Sequence, residues 1–275
     1  MTTVKTNRAV VAMAAIGIAT LALASPARAL VLYSTGNNGK ALFTIDPTTG
    51  AGTNVGSFGY NDTFGLAFSP DNTLYAIVNS YSTSALATVD TATGAATPVG
   101  AGTNILNLMA LVFAPTGTLY AANWGTNQLY TMDPATGAAT AVGSLGFDGI
   151  MDLAFDGAGQ LYGLASMGSS SSLYEIDPTT GAGTFVSSAA NSCLMGLTIT
   201  PANQFLATDY CVSDSPLYEI NTSDGTVTNL GATGISAPMG LTYASTTAVA
   251  EPASLALLFP AVASLELLRR RNRKV

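Results

Sequence analysis

Three features of the sequence predict an all-β fold, and within that class a single five-bladed β-propeller of four-stranded blades. A turn phrase recurs five times, a strand–turn–strand phrase recurs between its copies, and each end of the central body carries part of one further unit. The turn phrase reads IDPTTG at Ile45, VDTATG at Val89, MDPATG at Met132, IDPTTG at Ile176 and INTSDG at Ile220, at spacings of 44, 43, 44 and 44 residues. A period of about 40–45 residues made of strands is the signature of one propeller blade per repeat.

Taken in order, the body (residues 30–245) opens on LVLYS (Leu30–Ser34), a second strand with no first strand before it. Four strand–turn–strand phrases follow: GLAFSPDNTLYAI (Gly65–Ile77), ALVFAPTGTLYAA (Ala110–Ala122), DLAFDGAGQLYGL (Asp152–Leu164) and GLTITPANQFLAT (Gly196–Thr208). In the unit starting at Gly65 the four strands are GLAF, TLYAI, SALATVD and AATPVG, and their apolar residues suit blades that bury both faces against neighbours. The body closes on MGLTYAS (Met239–Ser245), a first strand with no blade after it. Pairing the N- and C-terminal strands completes a fifth blade and covers two edges that would otherwise invite aggregation.

The longest repeated phrase, IDPTTGAGT, stands at Ile45–Thr53 and again at Ile176–Thr184. Turn chemistry accounts for it: Asp bonds its own backbone, Pro fixes φ, and Gly takes the left-handed position that closes a hairpin. Calcium binding is the alternative. Asp46, Asp90, Asp133 and Asp177 fall on separate blades and lack the clustered acids of a calcium loop, so they read as scaffold.

Charge narrows the partners. Only 9 % of residues are charged, there is no His, and between Leu30 and Ser245 the single base Lys40 faces fourteen acids. Such a body repels nucleic acid, whose binding needs Lys and Arg to displace counterions. It tolerates neutral glycans, cations or basic partners. Without His no Ser-His-Asp triad can form, and the commonest metal ligand is missing. No metal or cofactor is expected.

Both termini read as addresses. Residues 1–29 form a signal peptide: Lys5 and Arg8, an apolar run Ala9–Ala24, and the cleavage signal Ala27-Arg28-Ala29. Sixteen residues of helix rise about 24 Å, short for a permanent span, and an uncleaved anchor is the alternative. Residues 246–275 carry Glu251-Pro252, an apolar stretch 253–268 and a basic cluster 269–274 that includes Arg269, Arg270 and Arg271. Physically this is a short hydrophobic stop followed by positive charge that would stay cytoplasmic; a plain anchor or an amphipathic tail is the alternative.

The tail resembles the PEP-CTERM sorting signal of Gram-negative bacteria. That resemblance implies export across the inner membrane, recognition by an exosortase-like processing enzyme, transient membrane contact through the termini, and a destination at the cell surface or in an exopolysaccharide (biofilm) matrix. Ala250 replaces the first Pro of the motif, and Pro260 and Glu266 interrupt the apolar stretch. The central repeats are similar, as a class of repeat, to NHL-type and lactonase-type propeller blades.

Cys193 and Cys211 flank the hairpin LMGLTITPANQFLATDY and should face each other across strands, within disulfide reach. An exported protein meets an oxidising compartment, which favours the bond over two free thiols.

The regular turns all fall on one face of the predicted propeller, and the loops on the other face differ between repeats. That varied face carries the candidate binding residues Tyr60, Asn61, Asp62, Tyr81, Asn123, Trp124, Phe147, Asp148, Asp152 and Tyr210, with Trp124 foremost as the sole Trp. Aromatic rings stacking on a sugar, with Asn and Asp bonding its hydroxyls, would suit a neutral glycan. The expected function is a non-catalytic binding or scaffold module. The rival from another class is a glycan hydrolase using Asp148 and Asp152 as paired carboxylates near the channel; a third possibility is an inert structural protein.

Overall fold

The apolar runs of each repeat pair into antiparallel ladders that close into a ring. The computed structural model describes residues 30–167, 170–190, 193–212 and 214–244, so the segments expected to be a signal peptide and a sorting tail lie outside the described residues. Among the described residues there are twenty strands, β1–β20, in five four-stranded sheets. β4–β7 (Phe64–Phe68, Leu74–Val78, Ala85–Val89, Ala96–Pro98) and β8–β11 (Leu108–Phe113, Leu119–Asn123, Gln128–Met132, Ala139–Ser144) each make a blade. β12–β15 (Ile150–Phe155, Leu161–Met167, Ser170–Ile176, Gly183–Ala189) and β16–β19 (Leu194–Ile199, Phe205–Asp209, Pro216–Ile220, Val227–Ala232) make two more. The protein is a five-bladed β-propeller.

The fifth blade comes from both ends of the described chain, in the order β20 (Leu241–Ala244), β1 (Val31–Gly36), β2 (Ala41–Ile45), β3 (Gly52–Ser57). Val31 pairs with Ala244 and Ser34 with Leu241, as the half-units at the two ends of the sequence predict. This closure removes two edges and makes the fold depend on contacts between residues some 200 positions apart.

The core lies between blades, in five apolar clusters. One joins Leu108, Leu111, Leu119 and Ala121 of β8–β9 to Ile77 and Leu86 of the preceding blade. Tyr–Phe pairs staple neighbours: Tyr33–Phe68, Tyr75–Phe113, Tyr120–Phe155 and Tyr162–Phe205, with ring centroids 5.2, 5.4, 5.8 and 4.9 Å apart. Each joins the second strand of one blade to the next blade, which explains the recurring Leu-Tyr in that strand.

The turn phrase behaves as its chemistry requires. Asp46 Oδ1 accepts from the Thr48 amide (2.8 Å) and hydroxyl (2.6 Å), and Gly50 sits at φ 74°. Asp177 repeats this with Thr179 at 2.8 and 2.7 Å. These bonds hold the carboxyls of Asp46, Asp90, Asp133 and Asp177 below their ordinary range. The turn glycines also meet the neighbouring blade. A Cβ on Gly181 would lie 2.7 Å from the Gly143 carbonyl oxygen, so the residue that closes the hairpin also lets blades stack.

Candidate functional site at the channel mouth

The inner strands of the blades surround the central channel, and three of them carry a β-bulge at the same place. In β8, Leu108 pairs with Asn123 but Ala110 with Ala122; in β12, Ile150 pairs with Ala165 but Asp152 with Leu164. In β16, Leu194 pairs with Asp209 but Gly196 with Thr208. The residue left out of the ladder is Met109, Met151 or Met195. A bulge frees one residue from the pleat and re-aims its side chain. Met239, just before β20, and Phe64, at the start of β4, hold the equivalent position.

These five side chains, with Tyr81, Trp124 and Tyr210, line a cavity of about 290 Å³ at the mouth on the varied face. Trp124 is 40 % exposed and Tyr81 56 %, so the rim is open while Met109 and Phe64 are buried in the floor. The lining contains neither a base nor a carboxylate.

Each rim aromatic is held from behind. Asn123 is buried; its Nδ2 donates to the Leu106 carbonyl (2.6 Å) and its Oδ1 accepts from the Gly125 and Thr126 amides (2.8 and 2.9 Å), which fixes the loop bearing Trp124. Tyr81 meets Phe64 edge-on at 5.2 Å. Burial, then Asp62, then Tyr210 hold the Tyr81 phenol above its usual value. The Tyr210 hydroxyl donates to Asn38 Oδ1 at 3.3 Å. Next to Tyr210, Cys193 and Cys211 form a disulfide with Cα atoms 5.6 Å apart, as their opposed positions on the hairpin predict.

The structure therefore brings Tyr81, Trp124 and Tyr210 together and gives the other candidates different surroundings. Tyr60 is half-buried against the Leu42–Phe58–Leu66 cluster, and Asn61 is exposed beside it. Asp62 sits in a left-handed turn at φ 56°. Phe147 stacks on Tyr174 (3.8 Å, 7° between planes) and packs against the Leu145–Ile150 cluster. Asp148 is exposed and accepts from Asn127 Nδ2.

Asp152 stands below the mouth, fully buried. Its Oδ1 accepts from the Leu153 amide (3.0 Å), and its Oδ2 from the Leu197 (2.9 Å) and Leu241 (3.1 Å) amides, tying together the inner strands of three blades. Burial outweighs these bonds and holds the carboxyl well above the ordinary range. At the matching position, a Cβ on Gly65 would lie 2.7 Å from the Leu111 amide nitrogen, so the strands meet too closely there for most side chains. This narrowing separates the mouth from a second cavity of about 480 Å³ at the turn face, lined by residues such as Phe68, Phe113, Phe155 and Tyr243.

The sequence reading missed the methionines. Their signal is a column: FGLAF, MALVF, MDLAF, MGLTI and MGLTY place Phe or Met just before each inner strand's small or acidic residue. Among the described residues no group of three or more His, Cys, Asp or Glu is placed to hold a metal ion.

The fold and the mouth define a class: a five-bladed propeller with an apolar, aromatic-rimmed pocket at one end of its channel. Residues 60–237 match a family described as a repeat of unknown function (DUF6923), which spans more than half of the chain, and the chain belongs to that family. No curated protein matches it in sequence. Among solved structures, a chain of a nidogen/laminin complex superposes with a TM-score of 0.54 at 12 % identity, covering 79 % of this chain and 99 % of that one. A Bacteroides thetaiotaomicron protein of unknown function gives 0.53 at 18 % identity, covering 78 % and 65 %. One from Bacteroides caccae, also of unknown function, gives 0.52 at 11 %, covering 78 % and 99 %. At these identities the likeness is one of fold.

Proposed function

We propose that the protein is an exported, non-catalytic binding module that takes its ligand at the channel mouth. The observation that carries this reading is the convergence of the sole Trp, two Tyr, one Phe and four Met on one open pocket of the varied face. Pockets for small ligands are mostly apolar and aromatic, with few polar groups. A hydrolase would need carboxylates that reach a substrate, and Asp152 is fully buried and occupied by three amides, which favours binding over catalysis.

In this reading the signal peptide exports the chain, and an exosortase-like enzyme sorts it to the cell surface or matrix through residues 246–275. The disulfide is consistent with an oxidising compartment. An exopolysaccharide, the ligand implied by the tail, would lie on the rings of Tyr81, Trp124 and Tyr210 at the rim, the apolar floor offering its hydroxyls no partner. Because Trp124 is the only Trp, intrinsic fluorescence reports this pocket alone. Titration with a glycan panel that includes the producer's own exopolysaccharide should shift that emission without shortening the glycan. Chain shortening would replace the binding module with the hydrolase; no response from any glycan would remove the exopolysaccharide from the proposal.

A further inference from the structure

We propose that the floor of the mouth pocket is a thioether site for a soft monovalent d10 cation, Cu(I) or its analogue Ag(I). The inference rests on the reading of the mouth as the ligand site and names what its floor selects.

Placement is the first ground. Six methionines lie among the described residues, and four of them, Met109, Met151, Met195 and Met239, occupy one repeat position and line one cavity. A propeller does not need methionine there to fold. Buried apolar positions are overwhelmingly Leu, Ile, Ala and Phe; among the described residues only Met109 and Met132 are buried methionines, and Met151, Met195 and Met239 are half-buried at the cavity. The β-bulges at Met109, Met151 and Met195 turn these side chains out of the ladder, so they do not hold the sheet together.

Donor chemistry is the second ground. Thioethers are soft ligands that select Cu(I), whereas Ca, Mg and Mn prefer oxygen donors. The lining holds no carboxylate to attract a hard cation and no Lys or Arg to repel a soft one. The two cysteines are joined to each other, so no thiol competes among the described residues. Three rotatable bonds let each methionine bring its sulfur inward within a cavity of about 290 Å³.

The surroundings are the third ground. The aromatic rings of Trp124, Tyr81 and Phe64 line the same cavity, and aromatic π systems favour a cation. The fourteen acids against one base in the body set up a field that draws cations and repels anions.

The test is titration of the purified full-length protein with Ag(I) in chloride- and thiol-free buffer, read by Trp124 emission. It is repeated with Cu(I) under ascorbate, with Zn(II) and Ca(II) as controls. A neutral apolar dye, N-phenyl-1-naphthylamine, measures the pocket separately. The proposal expects saturable Ag(I) and Cu(I) binding near one equivalent, no response to Zn(II) or Ca(II), and at least a tenfold loss of Ag(I) affinity in Met151→Leu/Met195→Leu. Leucine conserves volume, so the same variant should keep its fold and its dye affinity. Dye binding without Ag(I) binding, or Ag(I) affinity unchanged in the variant, overturns the cation site and leaves the pocket standing. Failure to bind both dye and Ag(I) removes the cation site and the pocket reading together.

Discussion

The two ends of the channel are built from the same repeats and differ in what the repeats leave open. At the turn face the cavity is the larger, about 480 Å³ against about 290 Å³. Yet its three phenylalanines already have partners: Phe68, Phe113 and Phe155 are each paired with a Tyr of the neighbouring blade. Its other lining residues, such as Pro70, Asn72, Pro115 and Pro201, are those the turns require. At the mouth, bulges in β8, β12 and β16 release Met109, Met151 and Met195 from any duty in the ladder, and rim loops of differing sequence add Tyr81, Trp124 and Tyr210. Volume alone would favour the turn face. The useful contrast is between side chains committed to the fold and side chains that the fold sets free.

That contrast can be broken first at the narrowing between the two cavities. Asp152→Ala leaves the amides of Leu153, Leu197 and Leu241 without their partner in the buried narrowing. Since each buried donor left unmade costs about 1–3 kcal/mol, offset in part by losing a buried carboxyl, the net loss should be about 2–4 kcal/mol in urea unfolding. An unchanged midpoint would mean that the carboxyl does not tie the blades.

Next in size is the disulfide behind Tyr210. It joins residues 18 apart, and replacing both with Ser should lower stability by about 2–3 kcal/mol. It should also weaken dye binding at the mouth while leaving the turn face unchanged. Equal stability with and without reductant would remove the disulfide from the account.

The pH dependence sharpens the same contrast. Asp152 has a raised folded value, so its contribution is full below the ordinary carboxylate range near about pH 4 and is lost as pH rises through the folded value. The turn aspartates Asp46, Asp90, Asp133 and Asp177 have lowered values. Their contribution is present above about pH 4 and is lost as pH falls through the folded values. Wild type should therefore lose stability in both directions, and Asp152→Asn only on the acid side. Parallel curves throughout would show that Asp152 titrates as it does in the unfolded chain.

The smallest effect on stability belongs to the mouth. Trp124→Ala and Met151→Leu should each change unfolding by less than about 1.5 kcal/mol, because these groups are exposed or volume-conserved. Trp124→Ala should nevertheless lower dye affinity severalfold. A large stability loss there would return Trp124 to the scaffold.

Much of this molecule was legible in the sequence because its signals are local and periodic. Asp-Pro-Thr-Thr-Gly states its own turn, strand–turn–strand phrases recur between its copies, and two incomplete ends announce closure. The site was less legible for equally physical reasons. Asn123 ends β9 just before the loop of Trp124 and Phe147 sits in a variable loop, but one folds inward onto backbone amides and the other stacks on Tyr174, contacts that only the folded chain creates. Asp152 could be placed near the channel from its column; its three amide partners come from β12 itself and from near and far along the chain. The methionine column was visible, but its meaning depends on bulges that sequence patterns do not display.

The most direct test of the central claim is a methionine-methyl NMR spectrum during addition of N-phenyl-1-naphthylamine. The account predicts that Met109, Met151, Met195 and Met239 move together and saturate while Met132, buried between blades, stays fixed. Shifts spread over all six methionines of the body, or none at the four, would contradict the mouth as the binding site.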